Sequence, residues 1–201
     1  MKIGILGGTF NPIHRAHIYL AQQYRRELSL DKILLIPTFI PPHKRVDEMA
    51  DAALRLEMCG LATKNLTGFE VCDFEIRRAE VSYSLITLTH LREEYPDSEL
   101  CFLMGADMFL TLQDWYEPRE IFKLATLCAS AREEGELEKM REHMPLLQEM
   151  GAKCVLLQIP PMPMSSTEIR AGLKQSADMS AYLDDSVLEF IREHGLYGVR
   201  S

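Results

Sequence analysis

Short runs of apolar, often β-branched residues alternate with longer stretches of helical periodicity from one end of the 201-residue chain to the other. The runs lie at 2–6, 32–37, 69–74, 100–104, 126–129 and 153–159, and each reads as a strand. Between them, 16–28, 52–62, 85–94 and 137–150 carry amphipathic patterns, the first through Ile18, Leu20, Ala21, Tyr24 and Leu28. Strands that alternate with helices pair in parallel through right-handed crossovers. The pattern therefore predicts an α/β fold: a doubly wound, mostly parallel, Rossmann-like sheet with helices on both faces.

Beyond residue 159 the pattern changes. Pro160, Pro161 and Pro163 interrupt regular structure, and two short helices follow. Ser165 and Glu168 have capping-box spacing and predict a helix from Ser166. Asp184 or Asp185 would cap the second helix and Gly195 would end it. With 47% hydrophobic residues the chain can bury one substantial core. Residues 1–201 are therefore expected to form a single domain, with the helices of 165–201 packed on it.

A formal net charge of −8 argues against a surface that tracks DNA or RNA phosphates, which needs clustered Lys and Arg. A small-molecule partner is expected, with no nucleic acid and no membrane, and a homo-oligomer stays open. No stretch approaches the roughly 20 apolar residues of a bilayer span, and the first apolar run is too short for a secretory leader. Cys59, Cys72, Cys101, Cys128 and Cys154 are scattered singly, without metal or redox spacing. These features together predict a reduced, cytoplasmic protein.

Three motifs carry chemistry. The first strand runs into Gly7-Gly8-Thr9-Phe10-Asn11-Pro12-Ile13-His14-Arg15-Ala16-His17. Paired glycines let backbone amides approach a ligand closely, and the helix start that follows suits an anion. His14 and His17 fall on one side of that helix start and could donate to phosphate oxygens. Two histidines at this spacing also fit a partial metal site or ordinary polar residues. After the second strand, Pro41-Pro42-His43-Lys44 stiffens a loop and offers an ammonium group; a solvated lysine is the plainer reading. Finally, Ser165-Ser166-Thr167-Glu168-Ile169-Arg170 offers hydroxyls, helix-start amides and a guanidinium to an anion, although Ser-x-x-Glu is also an ordinary cap.

Taken in order, these three motifs closely resemble those of the bacterial nicotinate-nucleotide adenylyltransferase family, within the nucleotidyltransferase superfamily that includes the pantetheine-phosphate enzymes. Ser82-Tyr83-Ser84 with Thr87, Gly105-Ala106-Asp107, Trp115-Tyr116 and Gly195-Leu196-Tyr197 extend the resemblance over nearly the whole chain. It implies transfer of the adenylyl group of ATP to nicotinate mononucleotide in NAD biosynthesis, with Mg²⁺ brought in on ATP and no dedicated metal site. His14, His17, Lys44 and Arg170 are then the catalytic cations, steadying charge on the triphosphate. Gly7, Gly8, Thr9 and Phe10 are expected at the ATP site. Ser165, Ser166 and Thr167 would hold the β- and γ-phosphates with Arg170, and Lys44 would reach in from the other side. Gly105 and Asp107 would receive the adenosine, Asp107 bonding its ribose. Lys44, Ser82, Tyr83, Ser84 and Thr87 would line the mononucleotide side, with Trp115 stacked on the pyridine ring.

The chain departs from the family pattern in places. Asn11 and Ile86 stand where the family often has Asp, and Ser84 where it often has Thr. Arg132 is followed by Glu133-Glu134 rather than Pro-Gly, which leaves Arg132 without an assigned role. The alternatives are a nicotinamide mononucleotide or phosphopantetheine acceptor, a non-catalytic nucleotide-binding regulator, and a hydrolase using His14 and His17 as metal ligands. The last lacks a nearby carboxylate partner.

Overall fold

Alternate residues of each strand feed two separate cores, which is why the strands read as unbroken apolar runs. In the computed structural model, which describes residues 1–42 and 49–199, β1 is Lys2–Gly8, β2 Lys32–Pro37, β3 Phe69–Val71, β4 Glu99–Gly105, β5 Thr126–Ala131 and β6 Cys154–Gln158. Ile3, Ile5, Leu34, Ile36, Phe102 and Met104 point to one face, and Leu6, Ile33, Leu35, Cys101 and Leu103 to the other. All pairings are parallel, in the order β3-β2-β1-β4-β5-β6. This is the doubly wound topology expected from the alternation, and its order reverses between β1 and β4. Ligands of such sheets bind in the crevice beyond the strand C-termini at that switch point.

Helices α1 (Arg15–Glu27) and α2 (Ala52–Thr63) cover one face through Ala21, Tyr24, Met58 and Cys59. The Tyr24 hydroxyl ties α1 to the sheet by donating to the Met104 carbonyl at 2.6 Å. On the opposite face lie α4 (Ser84–Glu94), α5 (Ala106–Phe109), α6 (Pro118–Leu124) and α7 (Glu134–Glu149), packed through Leu88, Leu91, Phe109, Phe122 and Met140. Gly4 is required for packing. A Cβ there would lie 2.6 Å from the Ile33 and Leu30 side chains, an overpacking that typically costs 1–3 kcal/mol.

The tail helices α8 (Ser166–Lys174) and α9 (Asp185–Glu193) join the α1/α2 core through Ile169, Leu173, Val187 and Ile191. Their caps are those read from the sequence. Ser165 and Glu168 form the capping box, Asp184 caps α9, and Gly195 follows at φ 59°. The strand expected over 69–74 is shorter, because β3 pairs on one side only and a five-residue helix, α3 (Phe74–Arg78), takes over. The short helices α5 and α6 were also not anticipated.

Candidate active site

Two cavities meet at the C-terminal ends of β1 and β4, and Gly7, Gly8 and Thr9 belong to the walls of both. A Cβ on Gly7 would meet no protein atom, so the space above it is open to a ligand. Gly8 has a different reason to be glycine. A Cβ there would sit 2.9 Å from the ring of Phe10, which occupies the left-handed region at φ 46°. Phe10 in turn sets its ring edge-on to His17, with centroids 5.1 Å apart.

The first cavity, about 220 Å³, is mainly apolar, with Phe102, Leu88 and Ile121 along its sides. Ser82, Tyr83, Ser84, Thr87 and Trp115, the residues expected at the mononucleotide side, all line it. Trp115 is half-buried and meets Phe102 edge to face at 6.2 Å. Ser82 is buried, and its hydroxyl accepts the Phe39 N–H at 3.1 Å. Helix α4 begins at Ser84, so first-turn amides that lack intrahelical partners lie at the cavity edge. Among the described lining residues none carries a positive charge.

The second cavity, about 410 Å³, is more polar than the first, with polar and apolar wall in nearly equal share. It brings together His17, Gly105, Asp107, Ser166, Thr167 and Arg170 with the Gly7–Phe10 turn. It continues into a neighbouring hollow lined by His14 and Ser165, with His17, Asp107 and Ser166 common to both. The Nδ1 of His17 accepts the backbone N–H of His14 at 3.2 Å, which leaves the ring proton on Nε2. The two imidazoles lie 3.7 Å apart and tilted. His14 is 6% exposed, its Nδ1 has no hydrogen-bond partner among the described residues, and burial pushes its pKa down to about 4. The cationic His14 expected from the sequence is therefore a neutral imidazole near pH 7.

Arg170 donates from Nη1 to the Asn11 carbonyl at 2.8 Å and from Nη2 toward the Thr167 hydroxyl at 3.4 Å, while its Nε is buried and unbonded. The hydroxyls of Ser165 and Ser166 are engaged, with Glu168 at 2.7 Å and the Pro12 carbonyl at 3.0 Å. An anion here would meet the α8 amides and Arg170 before it met those hydroxyls. Lys44 lies outside the described residues, but the described ends of its loop flank the two cavities, Pro41 and Pro42 at the first and Met49 at the second. No group of three His, Cys, Asp or Glu side chains able to hold a metal occurs among the described residues.

Four site residues escaped the sequence reading in whole or part. Arg132 lies on the wall of the second cavity, which Asp107 also lines. Arg55 is fully buried and donates to the carbonyls of Thr9 (2.7 Å), Ala50 (3.0 Å) and Phe39 (3.2 Å), clamping the glycine turn to both ends of the 39–50 loop. Burial lowers its pKa, and the three carbonyls give each of its three nitrogens one partner. Tyr197 donates to Asn11 Oδ1 at 2.8 Å, and that oxygen also accepts the Ala50 N–H at 3.0 Å. Glu75, on α3, is a buried carboxyl in the wall of the apolar cavity.

Residues 5–172 match the family model described as cytidylyltransferase-like. A Shewanella sp. (strain ANA-3) protein named "Probable nicotinate-nucleotide adenylyltransferase" is 39% identical, over 98% of this chain and 99% of its own. A Shewanella pealeana protein of the same name is 40% identical, over 98% and 96%. Among solved structures, a Plasmodium falciparum nicotinic acid mononucleotide adenylyltransferase complexed with NaAD shares the fold at a TM-score of 0.80 and 19% identity, covering 99% of this chain and 98% of that one. Among the described residues no helix is long and apolar enough to cross a membrane. With identity at this level along nearly the full length of both chains, the protein belongs to the nicotinate-nucleotide adenylyltransferase family.

Proposed function

We propose that this protein joins the adenylyl group of ATP to nicotinate mononucleotide, giving nicotinate adenine dinucleotide and pyrophosphate in NAD biosynthesis. The observation that carries the reading is the shared wall. An apolar cavity with no cationic side chain among its described lining residues and a more polar cavity holding His17 and Arg170 meet at Gly7, Gly8 and Thr9. The pyridine ring fits the first cavity against Trp115, and ATP fits the second. The phosphate of one substrate and the α-phosphorus of the other then come together over the glycine turn.

The reaction needs no protein nucleophile. A 5′-phosphate oxygen of the mononucleotide attacks the α-phosphorus of Mg·ATP in line, the new P–O bond forms, and the bond to the β-phosphate breaks. The electron pair leaves with pyrophosphate. Catalysis of this kind rests on positioning and on stabilising spread negative charge. His17 Nε2–H, Arg170 and the first-turn amides of α8 supply that stabilisation around the leaving group, with Lys44 on the other side. His14, neutral in the free protein, gains a proton or a hydrogen bond once a phosphate arrives. Asp107 takes the adenosine ribose beside Gly105. The ring carboxylate is met by backbone amides at the start of α4, near Ser84, rather than by a side-chain cation. Free thiols at all five cysteines fit a reducing cytoplasm.

Pyrophosphate release with ATP, Mg²⁺ and nicotinate mononucleotide tests the reading. Release that requires all three supports it. Release without the mononucleotide, or no release with any mononucleotide, would overturn it.

A further inference from the structure

Glu75 is an odd residue to find in an apolar cavity. It is 7% exposed and sits beside Ser82 and Thr87. Its Oε1 accepts the Thr87 hydroxyl at 2.6 Å, and the Ser82 hydroxyl lies close enough to favour its charged form as well. Its Oε2 is buried and has no hydrogen-bond partner among the described residues. A buried acceptor left unpaired is costly, and in native proteins it calls for a partner such as a bound water, ion or ligand.

Nicotinate mononucleotide narrows what that something can be. Its ring carboxylate and phosphate only accept hydrogen bonds at neutral pH, so its remaining donors are the two ribose hydroxyls. We infer that Glu75 is a substrate-binding residue whose free Oε2 accepts a hydrogen bond from a ribose hydroxyl of the acceptor mononucleotide. This deepens the proposed function and rests on it. Thr87 donates its hydroxyl hydrogen to this carboxyl, whose second oxygen stays open, so this end of the cavity presents lone pairs and selects for a donor. Burial pushes the Glu75 pKa up from the ordinary carboxylate value, and the Ser82 and Thr87 hydroxyls with the Arg78 charge offset only part of that rise.

The test crosses the enzyme with its substrate. Wild-type protein and Glu75→Gln are assayed for kcat/KM with nicotinate mononucleotide and with its 2′-deoxy and 3′-deoxy analogues, at saturating ATP. A lost hydrogen bond to a charged group typically costs roughly 10- to 100-fold, so one deoxy analogue should be that much worse with the wild type. In Glu75→Gln, which keeps an amide oxygen for Thr87, the same analogue should lose no more than about threefold relative to the natural acceptor. KM for ATP should not move in any arm. If the wild type turns over both deoxy analogues as well as the natural acceptor, the inference is wrong whether or not the variant folds. An unchanged deoxy penalty in a folded Glu75→Gln would equally overturn it and reduce Glu75 to a prop for Thr87. Absence of adenylyl transfer to the natural acceptor by the wild type is a different failure, that of the proposed function.

Discussion

His17 does two separable jobs in this structure, and replacing it should separate them. Its Nδ1 caps the start of α1 by accepting the His14 N–H at 3.2 Å, and its ring packs edge-on against Phe10. A neutral hydrogen bond contributes about 0.5–1.5 kcal/mol net, and an aromatic edge contact about the same. His17→Ala should therefore lose about 1–3 kcal/mol of stability, which for a chain of this size lowers Tm by roughly 2–12 °C. In the proposed reaction the opposite nitrogen, Nε2–H, donates to the ATP phosphates. Losing one preorganised donor at developing negative charge costs about 10²–10³ in kcat, or roughly 3–4 kcal/mol. His17→Asn tells the two jobs apart, because its Oδ1 can still accept the His14 N–H while no donor reaches the Nε2 position. The assay is pyrophosphate release at saturating substrates beside a melting curve. Asn should recover much of the lost Tm and little of the kcat. A folded alanine variant with near-normal kcat, or an asparagine variant that recovers both, would refute the reasoning.

The other expectations concern the same two cavities. Arg170→Ala should raise KM for ATP more than KM for the mononucleotide, and Arg170→Lys should restore only part, because an ammonium cannot copy a guanidinium fork; initial-rate kinetics with each substrate varied check this. Trp115→Ala should raise KM for the mononucleotide and leave that for ATP nearly unchanged, again by initial rates. His14 makes stability depend on pH. Its imidazole holds a proton only below about 4 when folded, whereas the unfolded chain takes one up near 6.5. The unfolded state binds more protons between those values, so stability falls as pH drops from 6.5 to 4, by up to about 3 kcal/mol. His14→Gln should flatten that part of a Tm-against-pH curve, and an unchanged slope would remove the assignment.

The alternation of strands and helices was legible because parallel strands buried on both faces leave continuous apolar runs, as in 32–37 and 100–104. The α8 cap was legible because Ser165 and Glu168 are only three residues apart. The helices α5 and α6 were not, since each is too short to complete the turns that make a period visible. Within the site, the glycine turn, His14, His17 and Arg170 belong to contiguous motifs and could be read together. Arg55 and Tyr197 could not be placed, because their partners lie 46 residues away at Thr9 and 186 residues away at Asn11. Glu75 offered a weaker signal. It is an acidic residue just past the run at 69–74, and only its burial and its bond with Thr87 distinguish it from a solvated carboxylate. The charge state of His14 was misread for a similar reason: spacing gives the position of an imidazole, and burial decides its proton.

The central claim is adenylyl transfer to the acid mononucleotide, and its most direct measurement compares kcat/KM for nicotinate and nicotinamide mononucleotides at fixed Mg·ATP, with the dinucleotide product identified by mass. Amides at the start of α4 bond a carboxylate well, whereas a carboxamide would turn an NH₂ group toward donors, a mismatch of about 1–3 kcal/mol, or roughly 5- to 150-fold. The account predicts equal amounts of pyrophosphate and nicotinate adenine dinucleotide, and a preference for the acid within that range. A preference for the amide would contradict the reading of the acceptor cavity, and pyrophosphate formed without any dinucleotide would contradict the claim itself.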